Sequence, residues 1–420
     1  MSEDEEENRE YFVPPGARAG SSSKAFGRDF DPHFLVPRRL ADKPADLIEA
    51  VNDFHYAMMN DHPRNDFYRE CLRRAIEPGR SVVLEIGTGS GLLAMLAARL
   101  GAQHVVAIEA SRSLAELARR NLVSNGLDRK VVVISRLSTD VTPEEVVEAA
   151  GRLPDVVVSE LFGTLLLGES ALDYLDDARR RLAAPGARVV PPRGVQYAAI
   201  VECEDIAAIT SARPWDGFSL AEVNLLQDTA SVVFTKQYGF RFSSVKSRQL
   251  APPAVVFEVD FSRDSPGFAG PTLTRYLEAT QTGTAHCVLV YWEVAIGAPR
   301  LDGSPPDAWE CPDRPLAMST DPALTKSNFA RDMQWGQGLQ LLEDVQAANL
   351  AELDDPLAAA TRPPTPLYVQ AGDTLELDVS LSDDSVVLQF ILRHPDAPAV
   401  GPFLTREEDS GSSSTDDSPS

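Results

Sequence analysis

The stretch Val82-Val83-Leu84-Glu85-Ile86-Gly87-Thr88-Gly89-Ser90-Gly91-Leu92-Leu93 constrains this chain more than any other. An apolar, β-branched run feeds three glycines at alternate positions, and helix-forming residues continue to Leu100. That order predicts strand, tight loop and helix, with glycines that let the backbone approach a ligand closely. A dinucleotide fingerprint would want glycine at position 92, where this chain has Leu92. The next apolar run, His104-Val105-Val106-Ala107-Ile108-Glu109, ends in a carboxylate. At the end of a strand beside the glycine loop, Glu109 can accept hydrogen bonds from both hydroxyls of a ribose. Loop and carboxylate together predict a nucleotide-type site.

The same grammar repeats from Ser81 to Pro191. Strands at 81–86, 104–109, 130–134, 154–159 and 187–190 alternate with helices near 92–100, 113–125, 143–150 and 171–183. Such alternation predicts a doubly wound, mainly parallel sheet. Ligands then bind beyond the carboxyl ends of the strands, where Gly87, Glu109 and Glu160 fall. Upstream, Pro44 to Ile76 reads as two helices separated at Asp61-His62-Pro63. After Pro191-Pro192, β-rich runs at 195–203, 230–236, 254–261, 285–295, 374–381 and 385–393 predict a second, antiparallel barrel or sandwich domain. Residues 205–228 form a helical excursion from it, and 298–325 reads as a long proline-rich loop. The expected organisation is a disordered acidic tail over 1–43, a sheet domain over 44–191, a β domain over 192–396 and a second acidic tail over 397–420.

The formal net charge is −24, partly in those tails. An acidic body disfavours nucleic acid and attracts basic ligands, although the charge serves solubility equally well. Cys71, Cys203, Cys287 and Cys311 show no C-x-x-C spacing, which argues against a zinc site or a disulfide framework and fits a reducing compartment. The six histidines lack metal-ligand spacing. No signal peptide or membrane span is apparent, so the expected location is cytoplasmic or nuclear, with no membrane partner and no direct nucleic-acid partner.

A second constellation is Ser159-Glu160-Leu161-Phe162-Gly163-Thr164-Leu165-Leu166-Leu167-Gly168-Glu169. Two carboxylates converging on one pocket repel unless a cation lies between them. A guanidinium suits that place, because its planar fork matches carboxylate oxygens. The alternative is that Glu169 is only an early-turn helix residue favoured by the macrodipole, and the loop alone leaves the two readings even.

The glycine loop, with its E-I pair, resembles that of the class I methyltransferases. The S-E-L-F-(x)5-G-E loop is similar to the double-glutamate loop of the protein arginine N-methyltransferases. Further similarity lies in Met58-Met59-Asn60-Asp61-His62-Pro63-Arg64-Asn65, in Ser138-Thr139-Asp140-Val141 and in Asp332-Met333-Gln334-Trp335. It extends over roughly 45–395, and the wording of the loops is nearest the monomethylating, type III branch. The resemblance implies an α/β fold: a Rossmann-like methyltransferase sheet domain, then a β-barrel with a helical dimerisation arm at about 205–228. It implies S-adenosylmethionine as cofactor and arginine-containing proteins or peptides as substrates. Arg/Gly-rich or Arg-x-Arg sequences, as in histones or RNA-binding proteins, are the candidates, and the protein is expected to be a homodimer.

By the same resemblance, Gly87, Gly89 and Gly91 line the methionine part of the cofactor, and Arg64 pairs with its carboxylate. Glu109 takes the ribose, and Ser138 lies by the adenine. Glu160 and Glu169 hold the substrate guanidinium, Met58 packs beside it and Trp335 walls the groove. Two bonded carboxylates draw positive charge toward the nitrogens they hold, leaving the remaining nitrogen more nucleophilic. Positioning then carries much of the barrier reduction. The chain departs from the family at Gln334, which replaces a loop histidine, and in lacking an aromatic Y-F-x-x-Y helix. A dimethylating enzyme, a small-molecule methyltransferase and a catalytically weak regulatory partner are the alternatives.

Overall fold

The computed structural model describes residues 39, 43, 45–51, 53–263, 272–300, 302–354, 362–382 and 387–395. The two acidic tails therefore lie outside the described residues, except for Arg39 and Lys43. Three helices lead into the sheet domain: α1 (Ala45–Ala50), α2 (Asp53–Asn60) and α3 (His62–Ala75). The sequence predicts only two. Helix α1 ends at Ala50 and is followed by Val51, a β-branched residue poor in helix interiors. The second break is built as expected: the Asp61 side chain caps α3 by accepting from the Arg64 N–H, with proline in the first turn.

The sheet domain alternates β1 (Val82–Ile86), α4 (Leu92–Arg99), β2 (His104–Glu109), α5 (Arg112–Ser124), β3 (Val131–Ser135), α6 (Pro143–Ala150), β4 (Val156–Ser159), α7 (Ala171–Asp177) and β5 (Arg188–Val190). The strands are parallel in the order β3-β2-β1-β4-β5. Central β1 is buried on both faces, which explains its unbroken V-V-L-E-I rather than an alternating pattern. Register aligns Ile86 with Ile108 and Ser159, so the ends of β1, β2 and β4 open on one crevice.

Beyond the Val190-Pro191 bond the strands become antiparallel. These are β6 (Arg193–Glu202), β7 (Val233–Phe234), β8 (Arg248–Gln249), β9 (Ala254–Asp260), β10 (Thr272–Glu278), β11 (Gly283–Ala285), β12 (Cys287–Ile296), β13 (Leu316–Ser319), β14 (Gly338–Leu341), β15 (Leu367–Val369), β16 (Thr374–Leu381) and β17 (Leu388–Arg393). The main path runs β7-β14-β12-β6-β8, with β9 also on β6 and β13 also on β12; β10-β16-β17 forms a second sheet. Side chains join the two into a barrel-like body. Arg275 of β10 donates to the Val255 and Val256 carbonyls of β9, and the Gln340 amide of β14 pairs with both backbone groups of Phe390 on β17.

Three expectations are corrected. The proline-rich segment 298–325 is not all loop, because it carries β13 and the short helix α10 (Pro322–Thr325). The run at 230–236 supplies only the two residues of β7. The excursion at 205–228, formed by α8 (Glu204–Thr210) and α9 (Ala221–Asn224), does not leave the barrel entirely, because Ile206 packs into the barrel core. Helices α11 (Phe329–Gln334) and α12 (Val345–Asp354) complete the described elements. No helix among the described residues is long and apolar enough to cross a membrane.

A buried charge network ties the two domains. Glu310, with no exposure, accepts from Arg193 at 2.8 Å and from the Gly297 N–H at 3.0 Å, while its carbonyl accepts from Arg74 of α3 at 2.7 Å. Replacing Glu310 with Ala strands Arg193 in the interior, and breaking a buried pair from one side costs about 3–5 kcal/mol. Urea unfolding of Glu310→Ala should show that loss; a change below about 1 kcal/mol would mean water or another acceptor replaces the carboxylate.

Candidate active site

Beyond the ends of β1, β2 and β4 lies a cavity of about 280 Å³. Gly87, Gly89, Glu109, Ser138, Glu160 and Glu169 all line it, together with Arg64 and Met58. The glycine loop turns because Gly87, Gly89 and Gly91 take φ of 73°, 52° and 87°. A Cβ on Gly87 would sit 2.8 Å from the Leu161 side chain, whereas at Gly89 it would meet nothing within 4 Å. Gly91 differs from expectation: it is not among the lining residues, and its α-carbon faces Ala118 of α5, so its task is to start α4 against that helix.

Glu109 is 8 % exposed and accepts from the Gly89 and Ser111 N–H groups, each at 2.8 Å. One bond per oxygen leaves acceptor capacity toward the cavity. Ser138 is buried at the start of a 3-10 turn, and its Oγ has no partner. Arg64 is 3 % exposed, and its fork is divided between Glu160 Oε2 at 2.5 Å and Asn65 Oδ1 at 2.9 Å, leaving Nε without a partner. Both residues line the cavity, and each keeps a buried polar atom without a partner.

Glu160, at the end of β4, has a side chain 5 % exposed; it also accepts from the Phe162 N–H and from the Gln334 amide, both at 3.4 Å. Burial raises its pKa, and the Arg64 charge and hydrogen bond pull the other way. Glu169 lines the cavity and the residue is exposed overall, while protein packed around its carboxyl limits the hydration of the charge. That limited hydration, with repulsion from Glu160, lifts its pKa to about 7 against the attraction of Lys236. The two carboxylates thus line one cavity, as the loop spacing suggests, and Arg64 pairs with Glu160.

Trp335 stands elsewhere than expected. It is 2 % exposed, packs edge-on to Trp292 at 4.8 Å and donates its indole N–H to the Phe162 carbonyl at 2.7 Å. Its large apolar ring is consumed by the core, so it braces the double-glutamate loop from behind and walls no groove. Asp61 is a further residue that the sequence leaves unassigned. Burial alone would raise its pKa, yet hydrogen bonds from Arg331 and Asn328 outweigh this and hold it below the usual carboxylate range. By this clamp the barrel fixes the helix turn that carries Arg64. Among the described residues no cluster suited to a metal ion is found.

Residues 61–173 match the family model described as ribosomal protein L11 methyltransferase. An arginine N(omega)-methyltransferase from Streptomyces achromogenes subsp. streptozoticus is 30 % identical over 284 residues, 65 % of this chain and 75 % of that protein. Protein arginine N-methyltransferase 7 of Caenorhabditis briggsae is 34 % identical over 251 residues, 56 % of this chain but 37 % of that one. This chain thus spans well under half of the latter. The fold is similar to that of the Trypanosoma brucei PRMT1 enzyme–prozyme heterotetrameric complex with AdoHcy. There the TM-score is 0.59 at 19 % identity, covering 81 % of this chain and 92 % of that one.

Glu85 is the cavity residue that sequence reading passes over, although a lone carboxylate in V-V-L-E-I is itself a signal. It is 1 % exposed and accepts from the Thr88 hydroxyl at 2.6 Å. Burial, opposed by that bond and helped by the Glu109 charge, raises its pKa to about 8. A carboxyl raised from 4.5 to about 8 favours folding fully below pH 4.5 and loses that contribution as pH rises to about 8. Relative to Glu85→Gln, the wild-type protein should therefore lose stability across that window, at most about 1.4 kcal/mol per pH unit. Parallel stability–pH curves for the two proteins would show that Glu85 is ionised in the fold.

Proposed function

The chain belongs to the arginine N-methyltransferase family, and on that premise we propose that it methylates the guanidinium of arginine in proteins or peptides, using S-adenosylmethionine. The observation that carries this reading is one cavity lined both by Glu109 and Ser138 and by Glu160 and Glu169. The residues present fit the cofactor. Arg64 and Ser138 line the cavity and each keeps a buried polar atom without a partner, so Arg64 suits the cofactor carboxylate, Ser138 the adenine and Glu109 the ribose, while a Cβ on Gly89 would meet nothing within 4 Å. When bound, the cofactor supplies an electrophilic methyl on a positively charged sulfur.

The remaining work falls to this chain's own side chains. Glu160 and Glu169 bind two guanidinium nitrogens, orient the third and draw the positive charge away from it. Glu169, with a pKa raised to about 7, is suited to take up the departing proton near neutral pH. Monomethylarginine as product follows from the resemblance to the type III branch. A second acceptor, free arginine, is favoured by one finding: the relative matched over three quarters of its length is an arginine N(omega)-methyltransferase, with no protein specified in its name. Labelled methyl transfer to an arginine-rich peptide and to free arginine, with mass spectrometry of the products, separates the two.

Because Glu160 already holds Arg64, Glu160→Gln would disturb the proposed acceptor and cofactor residues together. Glu169→Gln is the cleaner probe. It keeps shape while deleting a charge-assisted contact, and should lower kcat/KM for the acceptor roughly 30- to 1000-fold with cofactor affinity near wild type. Near-wild-type turnover would remove Glu169 from the site.

The arm at 205–228 supports a homodimer. Ile209, Trp215, Phe218 and Leu226 are 62 %, 74 %, 66 % and 84 % exposed, while Asn224 staples the arm by bonding both backbone groups of Ala212. An ordered, apolar projection of this kind fits an isologous contact with a second copy. Trp215→Asp with Phe218→Asp should produce monomers in sedimentation at micromolar concentration. A wild-type protein that is already monomeric there would sink the dimer.

A further inference from the structure

The short 3-10 turn that brings Ser138 to the cavity is held only loosely by its own backbone. Within it the Asp140 N–H donates to the Leu137 carbonyl at 3.1 Å and the Val141 N–H to the Ser138 carbonyl at 3.2 Å, both near the long end of the ordinary range. Three carbonyls of the segment 138–141 are gathered from outside by Arg181. Its Nη1 donates to the Val141 carbonyl at 3.0 Å, and its Nη2 to the Ser138 and Thr139 carbonyls at 3.2 and 3.3 Å. The other edge of the fork, Nε and Nη2, is fixed on the two Asp177 oxygens, each at 2.6 Å.

Arg181 stands there because of the helix that carries it. Helix α7 begins two residues after Glu169, and its Tyr174 lines the same cavity. At Ala178 it passes into a π-helical turn, Ala178–Leu182, a distortion of the regular bonding that is frequent at functional sites. Asp177 and Arg181 lie four positions apart across that junction, in the order in which acid and base pair best on a helix. One continuous element therefore runs from Glu169 to the turn that holds Ser138. A planar guanidinium can span several acceptors at once, whereas an ammonium is a point charge. Facing three carbonyls of one turn, the Arg181 fork sets the path of that backbone and with it the placement of Ser138, whose buried Oγ has no partner.

Resting on the arginine-methylation reading and its cofactor, we propose that Arg181 is a positioning residue for cofactor binding: by tying the segment 138–141 to the helix that follows Glu169, it presents Ser138 to the adenine. S-adenosylhomocysteine, the product form of the cofactor, is titrated into the full chain by calorimetry. Arg181→Met keeps the stem and deletes the fork, while Arg181→Lys keeps a cation beside Asp177 without the fork. Each should weaken the ligand about tenfold, the scale of one charge-assisted hydrogen bond. Ser138→Ala should weaken it to a similar extent. The double variant Ser138→Ala with Arg181→Met should lose no more than either alone, because both changes act on one contact. A general loosening of the fold would instead add to the Ser138→Ala effect.

Wild-type affinity in Arg181→Met overturns the proposal, as does full recovery in Arg181→Lys or a double variant in which the two losses multiply. Should Arg181→Met fail to fold, Arg181→Lys carries the same comparison with Ser138→Ala. If the wild-type protein binds S-adenosylhomocysteine with the expected pattern yet methylates neither peptide nor free arginine, the arginine-methylation reading fails and the assignment of Arg181 stands. A wild-type protein that does not bind S-adenosylhomocysteine refutes both.

Discussion

The barrel's grip on the loop between Ser159 and Glu169 is the constraint from which the rest of the site follows. This loop is irregular backbone enclosed between two domains, so its polar groups need partners other than water. The barrel provides them. Trp335 and Trp292 donate their indole N–H groups to the Phe162 and Gly163 carbonyls at 2.7 and 2.9 Å. Gln196 accepts from the Leu166 N–H at 2.9 Å and is itself held by the Tyr291 carbonyl; the Thr164 hydroxyl returns a bond to the Trp335 carbonyl. Glu160 and Glu169 are the two ends of a segment pinned in this way. Their separation is set by the packing of two domains and does not depend on the stiffness of the loop.

Charge at the site is also fixed across the same interface. Glu160 takes Arg64 from the sheet domain and accepts from the Gln334 amide of the barrel. Arg64 is held by a helix turn whose cap, Asp61, is clamped by Arg331 of the barrel at 2.9 Å. Arg64 and Glu160 would each be costly to bury alone, and the barrel fixes that pair through Asp61. Docking of the domains and assembly of the site are consequently one event. The site therefore needs both the methyltransferase-like sheet and the barrel, which the 61–173 match to a family model does not span.

What the sequence determined by itself is what repeats within one element or joins consecutive ones. The V-V-L-E-I run, the alternate glycines and the alternation of strand and helix define a parallel sheet and the end at which it binds, because hydrophobic period and turn chemistry are local. Glu109 and the Glu160–Glu169 pair were legible for the same reason: each stands at a strand end or within one loop. Short strands such as β8, β13 and β15 were not, since two to four residues carry too little periodicity to distinguish strand from loop. Nor could the sequence say that Trp335 would be spent on the core, or that Arg64 would bond a glutamate 96 positions away. The same holds for Lys236, whose ammonium meets Gln334 98 positions away. Only the tertiary structure decided these contacts, because they form where elements distant in the chain pack together and bury charge that must then find a partner.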